Sequence, residues 1–452
     1  MKKIILIFFL FFNLYASVEI ESLSDSNLEV LKSLDINPSF IKDRETNILF
    51  NTYLKRRKKY FLNLLENGYS YIPLIKKEIN KANIPSTLVF VAMAESYFST
   101  SAKSNKKAVG LWQFMSSTAK RFGLKINEYV DERRDPIKST IAAIKYLSYL
   151  RKKRGKWYLA IMSYNCGEAR VIEAIARAKL DKYCESHKCK NNPKIKKLRK
   201  DIKIYQHTKN FSKLYYAYKE IGRLYPLNLS IEDLLRVQKH LRRQYLPKET
   251  RRYIRKIVAM SFLLNSDKFI QYQNHYLLNR GSISNIVKVN VPAGTSLNYI
   301  AKILSIDYDF LRKNNAHLKY GFTPPNEDSY IYIPYEKLAL FRMTFNNKKI
   351  SKKIVYRVKK GDTLRKIAYK FGIKYKIIKD FNHLRTSFLR INQKLVIPIS
   401  NKRLFYRVKK GDSLAKIALK FGTSYKVIKR VNNLKNSLLR VNQRLIIPIN
   451  HI

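Results

Sequence analysis

Glu95 is the residue whose chemistry is easiest to infer. It ends the most apolar stretch outside the N-terminal segment, Leu88 to Ala94, and the next carboxylate downstream is Glu128. A carboxyl group held against apolar side chains resists ionisation, so its pKa rises and it can hold a proton near neutral pH. Such a group can act as a general acid. The alternative is that Glu95 only caps or pairs on a helix surface.

The shortage of nearby carboxylates narrows the possible reactions. Hydrolysis of a glycosidic bond ordinarily uses two carboxylates, one as acid and one as base or nucleophile. A solitary acid suggests that another group completes the displacement. By sequence, the plausible second carboxylates are Asp131, Glu132 and Asp135. We interpret their segment, DERRDP, as a charge-paired loop followed by the start of a helix.

The length of the chain and its N-terminal segment indicate how many domains to expect and where the protein is located. The chain has 452 residues, enough for about three domains. Two lysines precede a short apolar core, which predicts a secretory signal peptide over residues 1–16 and a location in the periplasm or cell envelope. An uncleaved N-terminal anchor is the alternative. No Cys lies near this boundary, so no lipid anchor is expected.

The charge is strongly basic, with 91 Lys and Arg against 32 Asp and Glu and a net charge of +59. Such a field favours polyanionic partners. Part of the excess follows from a general abundance of Lys, Ile, Asn and Tyr. Export and the lack of a recognised motif argue against nucleic acid as the partner.

The three cysteines predict no cofactor or metal site. Cys184 and Cys189 are close enough to form a small disulfide loop, although two free thiols are also possible. His187 lies between them, but one His and two Cys are too few for a closed zinc site. Cys166 has no His nearby in sequence to activate it.

The C-terminal part is repetitive. YRVKKGDTL from Tyr356 returns as YRVKKGDSL from Tyr406, and the 50-residue register continues to the end of the chain. Each copy reads as strand, helix, helix, strand, because a turn and N-cap precede apolar residues at helical spacing. A degenerate copy begins near Gly294 and lacks the Asp. We predict modules over 288–336, 353–400 and 403–450.

These modules resemble LysM domains, which bind glycans that contain N-acetylglucosamine. The resemblance implies a shallow groove between the first strand–helix loop and the second helix–strand loop. It places Gly361, Asp362, Thr363, Gly411, Asp412 and Ser413 at the groove edge. The alternative role of these six residues is turn and cap formation.

The region from about residue 18 to 265 predicts mostly helices, for example Tyr53 to Asn67, Thr140 to Lys152 and Arg251 to Leu264. Several short motifs follow Glu95 in order. They are GLWQFMSSTA from Gly110, SYNCGE from Ser163 and ETRRY from Glu249.

Together these motifs resemble the catalytic domain of soluble lytic transglycosylases. The resemblance implies a multidomain protein: a lysozyme-like α-helical domain over 81–265, preceded by a helical region over 17–80 and followed by the small α+β modules. It implies Glu95 as the catalytic acid and then base. It places Ser104, Gln113, Met115, Tyr164, Asn165 and Tyr253 along the substrate groove. Lys106, Lys107 and Cys166 depart from the family pattern.

The implied substrate is the glycan strand of peptidoglycan, and partner proteins are unknown. Glu95 would protonate the bond between N-acetylmuramic acid and N-acetylglucosamine, and the muramoyl C6 hydroxyl would close a 1,6-anhydro ring. Two alternatives stay open: a hydrolytic muramidase on a similar fold, and a non-catalytic wall-binding scaffold. We interpret Trp112 as a core residue rather than a sugar platform.

Overall fold

The computed structural model describes residues 25–226, 229–239, 241–264, 285–324, 327–345, 352–371, 375–382, 384–399, 403–409, 411–421, 424–434 and 436–448. The predicted signal peptide lies outside them. The chain forms two units, one of residues 1–123 and 136–283 and the other of residues 124–135 and 284–452. Each unit is described by itself.

The described part of the first unit consists mainly of helices joined by loops. Its α-helices are α1 Asp25–Ser33, α2 Arg44–Asn51, α3 Lys58–Gly68, α4 Ile72–Lys81, α5 Val89–Ser96, α6 Ser116–Arg121, α7 Pro136–Arg154, α8 Trp157–Cys166, α9 Glu168–Ser186, α10 Pro193–Thr208, α11 Phe211–Leu224, α12 Ile231–Leu235 and α13 Lys248–Leu264. Within the described residues, no helix combines the length and apolar character needed to cross a bilayer.

The three helices predicted by periodicity are confirmed with shifted ends. The first begins later than predicted, at Lys58, because a π-helical turn occupies Thr52–Arg56. The second begins at Pro136, where proline at the first helical position is favourable. The third begins at Lys248, three residues before the predicted start.

Helices α5 and α13 lie in the core of the first unit. Leu88, Val91, Ala92 and Met93 are 0% exposed, as the apolar run predicts. Helix α13 packs against α1, α2, α5 and α8. The end of α5 and one face of α13 are therefore held in place by packing on several sides.

An ion pair fixes α13 to α2. The Arg255 Nε and Nη2 groups donate to the two carboxylate oxygens of Asp43 at 2.9 and 3.0 Å. Asp43 also caps α2, because Oδ1 accepts from the backbone N–H of Thr46 at 2.8 Å. Burial would raise the pKa of Asp43, but the hydrogen bonds from Arg255 and Thr46 outweigh it and hold that pKa below its ordinary value.

The helices α9, α10 and α11 form a separate apolar cluster. It contains Leu214, Ala217 and Ile221 of α11 and Ile195, Leu198 and Ile202 of α10. A disulfide joins Cys184 at the end of α9 to Cys189 in the following loop. Of the two alternatives that the sequence left open, a disulfide or two free thiols, the structure has the disulfide.

The second unit contains three modules of one pattern, each a two-stranded antiparallel sheet with two helices between its strands. The first has strands Ile286–Val291 (β1) and Ser329–Pro334 (β2) and helices Leu297–Leu304 (α14) and Tyr308–Asn314 (α15), followed by Leu338–Thr344 (α16). The second has Lys352–Arg357 (β3), Leu364–Phe371 (α17), Tyr375–Phe381 (α18) and Lys394–Ile399 (β4). The third has Arg403–Arg407 (β5), Leu414–Lys420 (α19), Tyr425–Val431 (α20) and Arg444–Pro448 (β6).

One asparagine per module ties the second helix to the second strand. In the first module, Asn315 Nδ2 donates to the carbonyl of Tyr332 at 2.7 Å, and Oδ1 accepts from the Tyr332 N–H at 2.8 Å. Asn382 makes the same pair of bonds to Val396, and Asn432 makes it to Ile446. The degenerate copy therefore keeps the module fold.

Replacing Asp43 by Ala should destabilise the first unit by about 3 kcal/mol, because the buried Arg255 keeps only the more exposed Glu45 as an acidic partner and α2 loses its cap. Asp43→Asn keeps the helix cap, so its free energy of unfolding should fall by less. Urea unfolding at pH 7 measures both. Since the folded pKa is lowered, the wild-type advantage should be full above about pH 4 and disappear as pH falls further. An advantage that persists in strong acid would contradict this assignment.

Candidate active site

Glu95 lies one residue before the end of α5, where the backbone turns sharply. Tyr97 and Phe98 both have left-handed backbone angles, with φ of 53° and 58°. Such angles are costly for non-glycine residues and occur often at functional sites. The neighbouring Ser96 donates its hydroxyl to the carbonyl of Leu111 at 2.8 Å. This bond fixes the end of α5 to the loop of the GLWQF motif.

A hydrogen bond from α13 holds the Glu95 carboxyl group. The Tyr253 hydroxyl donates to Glu95 Oε1 at 2.7 Å, and Tyr253 is 8% exposed. No hydrogen bond to Oε2 is recorded among the described residues. The carboxyl group therefore has one oxygen fixed by the protein through Tyr253.

The surroundings keep Glu95 protonated near neutrality. Its pKa is raised to about 7, chiefly by burial and further by the charge of Glu249, while the hydrogen bond from Tyr253 and the charge of Lys256 lower it. Burial and the charge of Glu95 together raise the pKa of Tyr253 well above its ordinary value. At pH 7 about half of the molecules hold the proton that a general acid needs.

The second carboxylate that acts on Glu95 is Glu249, which the sequence analysis did not include among its candidates. It lies one helical turn before Tyr253 on α13 and acts electrostatically on Glu95. Asp131, Glu132 and Asp135 belong to the second unit instead. The Asp131 carboxylate accepts from Arg133 at 2.7 and 2.9 Å, and Asp135 accepts from the hydroxyls of Tyr330 and Tyr332 at 2.6 and 2.9 Å. As predicted, these acids are engaged in a paired loop.

Tyr164 lies near Glu95 in the same electrostatic environment. Burial, with the charge of Glu95 as the next cause, raises its pKa well above the ordinary value. Its hydroxyl donates to the carbonyl of Trp112 at 2.7 Å. Trp112 is 0% exposed and its indole N–H donates to Thr140 at 2.9 Å, so the prediction that Trp112 is a core residue is confirmed.

Asn165 is oriented by α13. Its Oδ1 accepts from the hydroxyl of Thr250 at 2.7 Å. The Nδ2 group therefore faces away from Thr250, and no partner for it is recorded in the described part of the chain. Helix α13 thus orients both Glu95, through Tyr253, and Asn165, through Thr250.

The remaining groove candidates lie in the loop after α5. Ser104 closes a turn, because its hydroxyl accepts from the N–H of Ala108 at 3.0 Å. The Gln113 side chain donates to the carbonyl of Gly110 at 2.8 Å. Met115 is 45% exposed at the end of the loop. Ser104 and Gln113 therefore shape this loop, and contact of all three residues with a substrate stays a prediction.

The described residues contain no group of three or more His, Cys, Asp or Glu side chains that is placed to hold a metal ion. At Glu95 a tyrosine hydroxyl donates to a carboxyl group, an arrangement that is suited to proton transfer.

In the last two modules, the residues predicted at the groove edge build the turn. Asp362 accepts from the N–H of Lys359 at 2.7 Å and from the Tyr356 hydroxyl at 2.8 Å. Asp412 accepts from Lys409 and Tyr406 in the same way. Thr363 and Ser413 accept from the N–H groups of Lys366 and Lys416, as helix caps do. Gly361 and Gly411 have φ of 82° and 85°, which favours glycine.

The sequence analysis missed two matching pairs of exposed apolar residues, one in each of the last two modules. Phe388 and Ile391 are 90% and 60% exposed in the loop before β4, and Leu438 and Val441 are 81% and 57% exposed in the equivalent loop before β6. Their recurrence at a 50-residue offset was the available signal.

The corresponding loop of the first module is covered. Phe322 is 1% exposed and packs against Tyr129 with ring centroids 6.2 Å apart. The backbone N–H of Lys319 donates to the carbonyl of Tyr129, and that of Asp131 donates to the carbonyl of His317, both at 2.9 Å. Residues 124–135 therefore lie on the loop that is open in the other two modules.

Comparison with protein families matches four segments of the chain. Residues 73–185 match the transglycosylase SLT domain, and residues 356–398 and 406–448 match the LysM domain. Residues 285–349 match the LysM-like domain of the lytic transglycosylase MltD. The chain carries an SLT domain followed by LysM domains. The matched SLT residues include Glu95 and Asn165, whereas Tyr253 lies beyond them.

Individual relatives align with parts of the chain. The membrane-bound lytic murein transglycosylase D of Escherichia coli (strain K12) is 26% identical over 356 residues, which cover 76% of this chain. The chain spans 66% of the length of that relative. A putative tributyltin chloride resistance protein of Alteromonas sp. (strain M-1) is 43% identical over 110 residues, covering 24% of this chain and 53% of the relative.

Among solved structures, the Bacillus cereus spore cortex-lytic enzyme SleL is 30% identical and covers 22% of this chain and 24% of its own. Its TM-score is 0.11, so it carries no argument about the fold.

Two substitutions on α13 should move the pKa of Glu95 in opposite directions. Tyr253→Phe removes a donor that favours the carboxylate, so the pKa should rise by about one unit. Glu249→Gln removes a like charge, so the pKa should fall by roughly half a unit. Carboxyl ¹³C NMR, with Glu95→Gln to assign the resonance, measures both. Shifts of the same sign would contradict the geometry.

Proposed function

We propose that this protein is a peptidoglycan lytic transglycosylase. It cleaves the β-1,4 bond between N-acetylmuramic acid and N-acetylglucosamine and leaves a 1,6-anhydromuramoyl end without consuming water. The observation that carries the proposal is the Glu95 carboxyl group, with a pKa of about 7 and a hydrogen bond from Tyr253, in an SLT domain.

The first step is proton donation. Because Oε1 accepts from Tyr253, we place the proton of neutral Glu95 on Oε2. Oε2 gives this proton to the glycosidic oxygen as the bond to the muramoyl C1 breaks. Positive charge develops on the sugar ring, and the oxygen of the substrate's own N-acetyl group stabilises it. Glu95 is left as a carboxylate, which the Tyr253 hydroxyl stabilises.

The second step is ring closure. The Glu95 carboxylate takes the proton of the muramoyl C6 hydroxyl while that oxygen forms a bond to C1. The carboxyl group is protonated again, and the atoms balance without water. The Asn165 Nδ2 group is the donor we assign to the substrate. The Tyr164 hydroxyl, which donates its proton to the carbonyl of Trp112, is assigned to the substrate as an acceptor. Ser104, Gln113 and Met115 line the groove in this proposal.

Hydrolysis is the second candidate, because Glu249 supplies the other carboxylate that a muramidase requires. It is exposed, one turn from Tyr253, and close enough to affect Glu95. In that reaction Glu249 would accept a proton from water, and the product would have a reducing muramic acid end.

Digestion of purified cell wall separates the candidates. Glu95→Gln should abolish anhydromuramoyl products in mass spectrometric muropeptide analysis, by at least about 1,000-fold, because the amide is far too weak an acid to transfer a proton. Glu249→Gln should retain anhydro products. Reducing ends from the wild type, lost in Glu249→Gln, would establish the muramidase. Equal release by wild type and Glu95→Gln would contradict the role of Glu95, and no release by the wild type would leave the binding scaffold.

The C-terminal modules tether the enzyme to its polymer in this proposal. The last two modules carry eleven or twelve Lys and Arg each, against one or two Asp, which suits a polymer whose peptide stems carry carboxylates. We assign glycan contact to the turn residues Gly361 to Thr363 and Gly411 to Ser413 together with the exposed apolar pairs. The covered first module is assigned a structural role. Export by a signal peptide over 1–16, with action in the periplasm or cell envelope, completes the proposal.

Leu438 and Leu419 form a matched pair for testing the tether. Both are more than four-fifths exposed in the last module, but Leu438 lies in the loop before β6, to which we assign glycan contact, and Leu419 lies on helix α19. Leu438→Ser should weaken binding to isolated sacculi, measured by co-sedimentation, about threefold. The double variant Leu438→Ser with Phe388→Ser should weaken it about tenfold, because each substitution removes apolar contact area. Leu419→Ser should have no effect. Equal losses at the two leucines would contradict the assignment.

A further inference from the structure

The hairpin of α10 and α11 has an exposed face that the catalytic reaction does not use. The hairpin begins after residue 185, where the SLT match ends. The apolar side chains of α11 are buried inside the first unit, since Leu214, Ala217 and Ile221 are at most 1% exposed. The outward face must therefore be judged by its own residues.

That face carries aromatic rings. Phe211, Tyr215 and Tyr216 are 46%, 41% and 46% exposed. The rings of Phe211 and Tyr215 stack with centroids 5.9 Å apart and an interplanar angle of 20°, and Tyr218 continues the row at 6.4 Å. Exposed aromatic rings in a cluster mark interaction sites more often than scattered ones do.

Lysines accompany the rings. The Lys219 ammonium lies 4.9 Å from the centroid of Tyr215, and the Lys197 ammonium lies 5.5 Å from that of Tyr216. We call Phe211, Tyr215, Tyr216, Lys197 and Lys219 the aromatic–lysine face. A cation held over a ring stays in place at low cost and remains available to an anion.

The charge around this face is one-sided. Residues 193–224 contain ten Lys and Arg and two acids, Asp201 and Glu220. Both acids are already paired, Asp201 with Lys213 at 3.6 Å and Glu220 with Lys194 at 3.4 Å. The partner of the face should therefore bring negative charge together with flat surfaces that stack on rings.

We propose that the aromatic–lysine face is a second contact surface for peptidoglycan strands, separate from Glu95 and from the LysM modules. The apolar faces of the sugar rings stack on Phe211, Tyr215 and Tyr216, and stem-peptide carboxylates pair with Lys197 and Lys219. The identity of the polymer rests on the function proposed above. A contact on the catalytic unit itself keeps an insoluble strand at the enzyme between cleavage events.

An anionic bilayer is the less suitable partner for this face. A helix that lies in a bilayer inserts a continuous aliphatic and aromatic stripe. In α11 the aliphatic side chains point into the protein core, and the exposed positions are rings, two of them tyrosines, with lysines beside them. This arrangement suits a hydrated, carboxylate-bearing glycan better than a lipid interior.

The test compares binding and cleavage with full-length protein. In a Glu95→Gln background, Tyr215→Ala with Tyr216→Ala should weaken binding to isolated sacculi about fivefold. Tyr215→Phe with Tyr216→Phe should retain binding, because the rings remain. Lys197→Gln with Lys219→Gln should flatten the salt dependence of binding. Tyr335→Ala and Lys302→Gln, exposed residues of the second unit, are the controls and should change nothing.

In the active enzyme, the Tyr215→Ala, Tyr216→Ala variant should cleave sacculi about fivefold more slowly and short soluble glycans at the wild-type rate. Unchanged binding to sacculi in a variant with wild-type thermal stability would overturn the proposal. So would loss of binding to phosphatidylglycerol vesicles while wall binding is kept. If the wild type cleaves no substrate, the proposed function fails, and the binding comparison still decides the role of the face.

Discussion

The hydrogen bond from Tyr253 to Glu95 is the interaction on which the site depends. It joins two helices that are 158 residues apart in sequence and fixes one oxygen of a carboxyl group that burial keeps near half-protonation. A buried acid without a partner would be free to rotate and would hold its proton more tightly. A carboxyl group on the surface would lose its proton. The Tyr253 bond keeps the acid oriented and able to release its proton and take it back.

Helix α13 carries most of the arrangement. Its Glu249, Tyr253 and Lys256 act on Glu95, Thr250 orients Asn165, and Arg255 fixes the helix to Asp43. The same helix is among the most buried of its unit. Its packing therefore limits how far these groups can move, and pre-organised groups lose less when a reaction changes their charge. Helix α13 therefore contributes both to the stability of the first unit and to the proposed chemistry.

Much of this could be predicted from the sequence, for local reasons. The apolar run before Glu95 predicts a buried acid, and the turn, cap and strand signals of the 50-residue repeat predict the module fold. The contact between Tyr253 and Glu95 could not be predicted from periodicity, because tertiary packing creates it, and only the family resemblance indicated Tyr253. Glu249 was overlooked although it lies four residues before Tyr253 on the same helix face. The cover that residues 124–135 place over the first module was also hidden, since its partners are almost 200 residues away.

The central claim is that the substrate's own hydroxyl, and not water, completes a reaction started by Glu95. Digestion of purified cell wall in H₂¹⁸O tests this claim most directly, because only hydrolysis places solvent oxygen on the new muramoyl end. Mass spectrometry should find ends that contain no ¹⁸O and lie one water below the reducing form. Muramoyl ends that carry ¹⁸O, formed at the rate of chain cleavage, would contradict the account.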